Sequence, residues 1–309
     1  MRASLAIRSI LLLAALPVPM ARAATDQPRF TVTVDFTHAD LSGPGLDVGL
    51  QTNNDITFTG GSVVGLDVSR TATPRLAFVY HSQFGDQLEV AYRRYDQTEG
   101  EVFRSSAGFF PTLPSPGTGI DFANRIESSV DVTMDTADVE WSRALASGQH
   151  MVWYWSAGVR WLQYESDWKT DYDWGADKVR IREETSGLGL TLGISGRYTL
   201  ANRFSLICAG GLGLLRGSVD ASFEEKAPAA TAAIVREDED RLLQTYDMEA
   251  RLSYALFKEV DLSLGYQFSR AAGLATRERI ADDVLRGTLA STEEDVDLDG
   301  VVFGIAVHW

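Results

Sequence analysis

Cysteine is almost missing. Cys208 stands alone among 309 residues, which excludes an internal disulfide framework and any multi-cysteine metal knuckle. Histidine is scarce too: His38, His81, His150 and His308 are scattered with no two at metal-ligand spacing, so no metalloenzyme and no cofactor is expected. Positive charge is short, with Lys+Arg 28 against Asp+Glu 43 and a net charge of -15. Nucleic acid is thereby excluded as a partner, because phosphate binding needs clustered cations to displace counterions. Long hydrophobic runs are absent beyond the first two dozen residues. None reaches the roughly 18 apolar residues of a membrane helix, which rules out a helical inner-membrane protein. A hydrophobic content of 45% is nevertheless too high for a disordered chain.

The N-terminus is the exception to the missing runs. Arg2 and Arg8 precede an apolar stretch from Ile10 to Val18, and Ala21-Arg22-Ala23 places small residues where a signal peptidase reads. Residues 1–23 are expected to be a secretory signal peptide, leaving 24–309 as a single domain that starts at Ala24. Cleavage removes three arginines (Arg2, Arg8, Arg22) and no acid, taking the net charge from -15 to -18.

What fills the mature chain is alternation. Leu190, Leu192, Ile194, Tyr198 and Leu200 share one parity, against Gly189, Thr191, Gly193, Ser195, Arg197 and Thr199 on the other. Tyr246, Met248, Leu252 and Tyr254 alternate with Thr245, Asp247, Glu249, Arg251 and Ser253, and the same rhythm holds at 30–36, 260–269 and 301–309. Period two over ten or more residues specifies strands, and the length matches tilted membrane strands of about 9 to 11 residues better than soluble ones of about 5 to 6. Short connections (82–86, 146–149, 201–203, 257–259) take turns with long polar ones (99–127, 169–185, 222–240, 272–298). An outer-membrane barrel sorts its connections in this way, short ones periplasmic and long ones outside.

The expected fold is therefore all-β: a transmembrane antiparallel β-barrel of about ten strands, eight to twelve being possible. Its strands centre on 30–38, 62–81, 87–98, 130–143, 150–167, 186–200, 203–217, 241–256, 260–270 and 300–309. Thr71–Pro74 is a possible turn dividing the second, and a phase change between Met134 and Val139 predicts a β-bulge. The aromatics Trp141, Trp153, Trp155, Trp161, Trp168, Tyr92, Tyr95, Tyr246 and Tyr266 are assigned to strand ends or the lipid face. Ala275–Arg286 carries apolar residues at helical spacing and is expected to form a short helix.

Lumen-facing candidates are Asp35, Glu89, Arg93, Asp131, Arg160, Arg197, Asp247, Glu249, Arg251 and Asp261. Both signs are present, so mutual pairing in a closed interior competes with lining a wet path, and the residues alone leave both open. Asp295-Val-Asp297-Leu-Asp299-Gly300 copies half a calcium loop, but the twelfth position is Ala306 rather than Glu, so no metal site is assigned. Asp167, Asp171, Asp173 and Asp177, near Trp174, read as a solvated acidic surface. Gly210, Gly211 and Gly213 lack the Lys-Ser/Thr of a phosphate loop and read as close strand approach. His81 and Ser82, being adjacent strand residues, point to opposite faces and form no dyad, so no enzyme is expected.

Thr73-Pro74-Arg75-Leu76, the run from Gly85 to Asp96, Asp135–Glu140 and Ala157–Trp161 resemble the first hairpin and central strands of the Legionella major-outer-membrane-protein-like family. That resemblance implies a pore-forming barrel in a Gram-negative-type outer membrane; passage of small hydrophilic solutes or ions is then expected to be passive, and the acidic loops, by concentrating cations near the entrance, make it cation-preferring. The alternative is a closed barrel acting as surface anchor, adhesin or receptor through acidic loops. Phe303, Val307 and Trp309 resemble the terminal aromatic signature read by the barrel-assembly machinery. The partners so implied are that machinery, outer-membrane lipid, lipopolysaccharide and small solutes.

Overall fold

A computed structural model of the chain describes residues 29–43, 47–52, 61–66, 70–111, 113, 123–173, 177–227, 230–281 and 288–309. The expected signal peptide and Trp174 lie outside the described residues. Twelve antiparallel strands account for the description: β1 (Phe30–Ser42), β2 (Asp47–Thr52), β3 (Gly61–Gly65), β4 (Thr71–His81), β5 (Asp86–Pro111), β6 (Ala123–Ser147), β7 (Met151–Tyr172), β8 (Asp177–Ala201), β9 (Phe204–Ala227), β10 (Ala230–Ala255), β11 (Val260–Ala281) and β12 (Thr288–His308). Ten of these, β1 and β4 to β12, form a closed barrel, sealed by β1 against β12 and by β5 against β6. The hairpin β2–β3 sits between β1 and β4 in sequence and pairs its Gly49–Gln51 with Phe109–Pro111 at the far end of β5.

The strands greatly outrun a bilayer. At about 3.3 Å per residue, the 26 residues of β5 make ~85 Å of strand. Tilted by about 40°, that is ~65 Å of height against about 30 Å of hydrocarbon. Most of the residues expected as long loops are in fact the upper ends of these strands. The segment 275–281, expected as helix, continues β11 and pairs with 288–294 of β12, while 282–287 lie outside the described residues.

Side chains on the wall show where lipid ends. Leu190 and Met248 point outward and are 64% and 66% exposed, an arrangement that only acyl chains make favourable. Near the short turns Trp141 and Trp155 meet edge to face at 5.0 Å, and Phe30 lies beside Trp309. At the upper boundary the Tyr92 hydroxyl donates to Asp135 at 2.5 Å, Tyr246 to Gln244 at 2.7 Å, and Tyr266 to Asp299. Two aromatic girdles, with phenol groups reaching toward polar partners, thus bracket the apolar band.

Above that boundary the apolar parity reverses. On β12 the odd residues Val301, Phe303, Ile305 and Val307 face lipid, whereas higher up the even residues Val296 and Leu298 are buried inside. On β6 Val139 faces out, while Val130, Val132 and Met134 face in. This reversal replaces the expected bulge: β6 keeps one-to-one register with β5 from Arg143 to Arg125 and with β7 from Ile126 to Ala144. Asp295, Asp297 and Asp299, which suggested half a calcium loop, are the outward side chains of the same stretch, with Arg270 bonded to Asp295 at 3.0 Å.

Most inward residues of the upper half form one apolar block, with the charged Asp177, Glu183, Glu225 and Arg241 also buried at inward positions. Tyr95, Phe109, Ile126, Tyr164, Leu215, Phe223 and Leu243 are almost fully buried in it. Trp168 Nε1 donates to Ser128 Oγ at 2.7 Å, and the Tyr172 hydroxyl donates to the Val48 carbonyl at 2.9 Å, bringing β2 across the top of the block. Tyr95 and Trp168, assigned to strand ends or the lipid face from sequence, are therefore interior residues. Asp131 is corrected in the other direction: it lies on the outer wall opposite Asp167 and not in the lumen. The expected strand 62–81 is divided, but not at Thr71–Pro74. Pro74 lies within β4 opposite Phe36, above the point at which β4 begins to pair with β5 at Arg75, so its missing N–H breaks no bond to β5.

Close strand approach explains the glycine at the seam. A Cβ on Gly300 of β12 would stand 2.1 Å from the His38 carbonyl oxygen of β1. Gly300→Ala is expected to cost about 1–3 kcal/mol by forcing the closing strands apart. Urea unfolding of the refolded barrel in detergent measures it, and an unchanged midpoint would contradict the close approach.

Candidate functional site

At the level of the lipid band the interior is polar, because the residues opposite the greasy parity are charged. They form three linked groups. In the first, Asp35 of β1 accepts two hydrogen bonds from Arg251 of β10, at 2.5 and 3.2 Å, and one from Arg75 of β4 at 3.0 Å. Arg75 also reaches Glu89, and Arg251 reaches Glu249 at 2.6 Å. The Asp35 and Arg251 side chains are 1% and 6% exposed, so this is a buried ion-pair lattice rather than a wet lining.

The second group joins β6, β7, β10 and β11. Arg160 donates to Asp138 and to Asp247, both at 2.6 Å, and Ser269 donates to Asp247 at 2.7 Å. Arg93 comes close to Ser269 at 3.4 Å. The third group lies near the short turns: His308 Nε2 is 3.4 Å from Asp261, Arg197 is 3.7 Å from Asp261, and Thr31 Oγ1 bonds both His308 and His81. His81 thus turns inward, while Ser82 Oγ accepts the backbone N–H groups of Phe84 and Asp86 in the turn. The two share no hydrogen bond.

Glu89, Arg93, Arg160, Arg197, Asp247, Glu249, Arg251 and Asp261 all border one cavity of about 560 Å³. It runs from the rows of His81 and His308, beside the short turns, up to Arg93 and Arg160. Sequence reasoning missed Arg75, Asp138, Glu140 and Ser269. Their parity, opposite to Leu76, Phe78, Val139 and Phe268, was the signal that could have found them. Phe303, Val307 and Trp309 face outward on β12 beside the β1 seam, where the Trp309 carbonyl accepts the N–H groups of Arg29 and Phe30.

The upper outer wall carries its own charges. Asp167 bonds Arg180 at 2.8 Å and lies 3.2 Å from Lys169, and the guanidinium holds its carboxyl down at about 2. Asp173, with φ 42°, ties the start of β6 by accepting the N–H groups of Asn124 and Arg125 at 2.8 and 3.0 Å. Gly213 lets β9 approach β10, since a Cβ there would lie 2.3 Å from Thr245 Oγ1. At Gly210 and Gly211, which border the polar cavity, a Cβ would meet nothing closer than 3.8 Å, so close approach holds at Gly213 and not at these two.

Comparison with known proteins settles the family. The family model described as Legionella pneumophila major outer membrane protein precursor matches residues 50–309, which include the end of β2 and all of β3 to β12. The chain belongs to that family. This family member is accordingly an outer-membrane β-barrel of ten strands. Among solved structures it is similar to the outer membrane protease OmpT from Escherichia coli, with a TM-score of 0.57 and 10% identity, covering 94% of this chain and 100% of that one. The translocator domain of the autotransporter NalP from Neisseria meningitidis aligns at a TM-score of 0.40 and 12% identity, over 98% and 96% of the two chains. At these identities the likeness concerns the fold alone. No curated protein matches the sequence.

Proposed function

We propose that this family member is a barrel closed at rest, a membrane-embedded scaffold that holds a tall, acidic outer wall above the bilayer. One observation carries the reading: the lumen above the lipid band is occupied by the block of Tyr95, Tyr164, Leu215, Phe223 and Leu243. Packing of that kind excludes water as a protein core does, and a dry constriction stops ions even where its diameter would admit them. The ion-pair lattice below it supports the same reading, since charges that neutralise one another across a narrow bore stiffen the wall rather than line a conduit.

Porin-like passage, which the resemblance implied, has the 560 Å³ polar cavity in its favour. In this conformation such a route would be a blind vestibule reaching up from the short-turn end. Cation enrichment at the acidic outer wall then reflects focusing by surface charge rather than selectivity in a pore. Hydrolysis is not part of the proposal.

Planar-bilayer recording of the refolded protein tests it. The expected result is an inserted protein with no stepwise current at moderate voltage. Stable, regular conductance steps from the unaltered barrel would overturn the closed reading in favour of passage.

A further inference from the structure

We propose that the lumen holds one small monovalent anion, a halide or a single carboxylate, against Arg93 just beneath the dry block. Four of the five arginines bordering the polar cavity have a carboxylate partner: Arg75 has Asp35 and Glu89, Arg160 has Asp138 and Asp247, Arg251 has Asp35 and Glu249, and Arg197 has Asp261. Arg93 differs. Its one side-chain contact among the described residues is the Ser269 hydroxyl at 3.4 Å, and its Nε is shielded from solvent with no hydrogen-bond partner. A guanidinium carries five N–H donors, and leaving the shielded Nε–H unmet is costly.

The register makes the need sharper. Arg93 of β5 stands directly opposite Arg75 of β4, a pairing of like charges across adjacent strands that is unfavourable on its own. Asp247 and Glu249 attract Arg93 at longer range, but neither forms an ion pair with it, and Asp247 is already engaged by Arg160. The lattice as a whole is not short of acids, so the positive surplus is local. The small space above it is lined by Arg75, Arg93, Arg160 and Arg270 with Asp138 and Asp247; Arg75 pairs with Glu89, Arg270 with Asp295 and Arg160 with both aspartates, which leaves Arg93 as the guanidinium without a carboxylate of its own.

The space has the size for the ion. A pocket of about 40 Å³ lies between these groups and the apolar ceiling of Met134, Leu162 and Leu298, with the hydroxyls of Thr136, Thr245 and Ser269 on its rim. One water needs roughly 10–15 Å³ measured in this way, so the pocket takes a halide or a carboxylate head but not a sugar acid. An anion there offsets the surplus, draws the Arg93 donors inward and stays out of the apolar block.

Crystals of the refolded barrel grown in bromide give the direct test. The expected result is an anomalous peak within hydrogen-bond distance of the Arg93 guanidinium, lost in Arg93→Gln. Formate at equal concentration distinguishes the two sources: displacement of bromide assigns the site to carboxylates, and persistence assigns it to halides. Should Arg93→Gln fail to fold, thermal unfolding of the unaltered protein keeps the test open, with a midpoint higher in bromide than in gluconate at equal ionic strength. No peak beside Arg93 at saturating bromide, a peak that persists in Arg93→Gln, or equal midpoints in the two salts would overturn the proposal. These readouts are static, so they stand or fall separately from conductance.

Discussion

Serine in place of Tyr95, Tyr164 and Leu243 should turn a silent barrel into a conducting one. All three side chains are essentially fully buried at the centre of the upper block. Truncating them removes two aromatic rings and an isobutyl group from the lumen and replaces apolar wall with hydroxyls. Each truncation costs about 2–5 kcal/mol in a closely packed core, which is large for a small domain. The barrel has a second source of stability, because its ladder hydrogen bonds lie in a medium where the unmade bond has no water to replace it. Wetting of the bore is then expected before loss of the barrel. The measurement is single-channel current from the triple variant and from each single one, alongside unaltered protein, with retention of β-structure checked by circular dichroism. Current rising from none to clear steps with successive truncations is the expected outcome. A folded triple variant that stays silent would show that the block is not what closes the lumen.

Asp35→Ala should be the most destabilising single change at the level of the membrane. It removes the shared acceptor of Arg251 and Arg75 at a site with 1% exposure, leaving Arg251 with Glu249 alone and Arg75 with Glu89 alone. Breaking a buried ion pair from one side costs about 3–5 kcal/mol, because the orphaned charge stays desolvated. Replacing both partners, Asp35→Leu with Arg251→Met, should recover part of that loss, since neither change then leaves the other's charge stranded. Urea titration of Asp35→Ala, of Asp35→Leu and Arg251→Met singly, and of the double variant in lipid vesicles checks both statements. A double variant worse than the sum of the singles would contradict the assignment of Asp35 and Arg251 as a pair.

The legible part of this molecule was the part facing two different solvents. Where lipid lies outside and a polar lattice inside, alternation such as Leu190-Thr191-Leu192 reports the face of every residue, and it gave ten barrel strands and eight cavity residues. Above the lipid the same period persists with its meaning inverted. Val130, Val132 and Met134 are greasy because they fill the lumen, and Asp295, Asp297 and Asp299 are acidic because they meet water. Read with a single polarity, the first looked like a slipped strand and the second like a metal loop. The helical reading of 275–286 rested on the spacing of Ile280, Val284 and Leu285; Ile280 lies in β11 opposite Leu289, and the other two lie outside the described residues. Trp168 and Tyr95 could not be placed from composition, because an aromatic suits a girdle and a core equally well. Arg93 was found as a lumen candidate, but its want of a carboxylate depends on which strands are neighbours, and spacing along one chain does not encode that.

The seam has a consequence for the order of folding. Thr31 and His308, which share a hydrogen bond, are separated by 277 positions, whereas every other junction of the barrel wall joins strands much nearer in sequence. Loop-closure entropy grows with that separation, so the hairpins can zip one after another while this last junction remains the late, slow event. Until it forms, β1 and β12 are both raw edges with unsatisfied amides, the state most prone to pairing with another chain. A circular permutant that joins 309 to 29 through a short flexible linker and opens the chain at the 146–149 turn would shift that burden to β6 and β7, and with it the rate-limiting step.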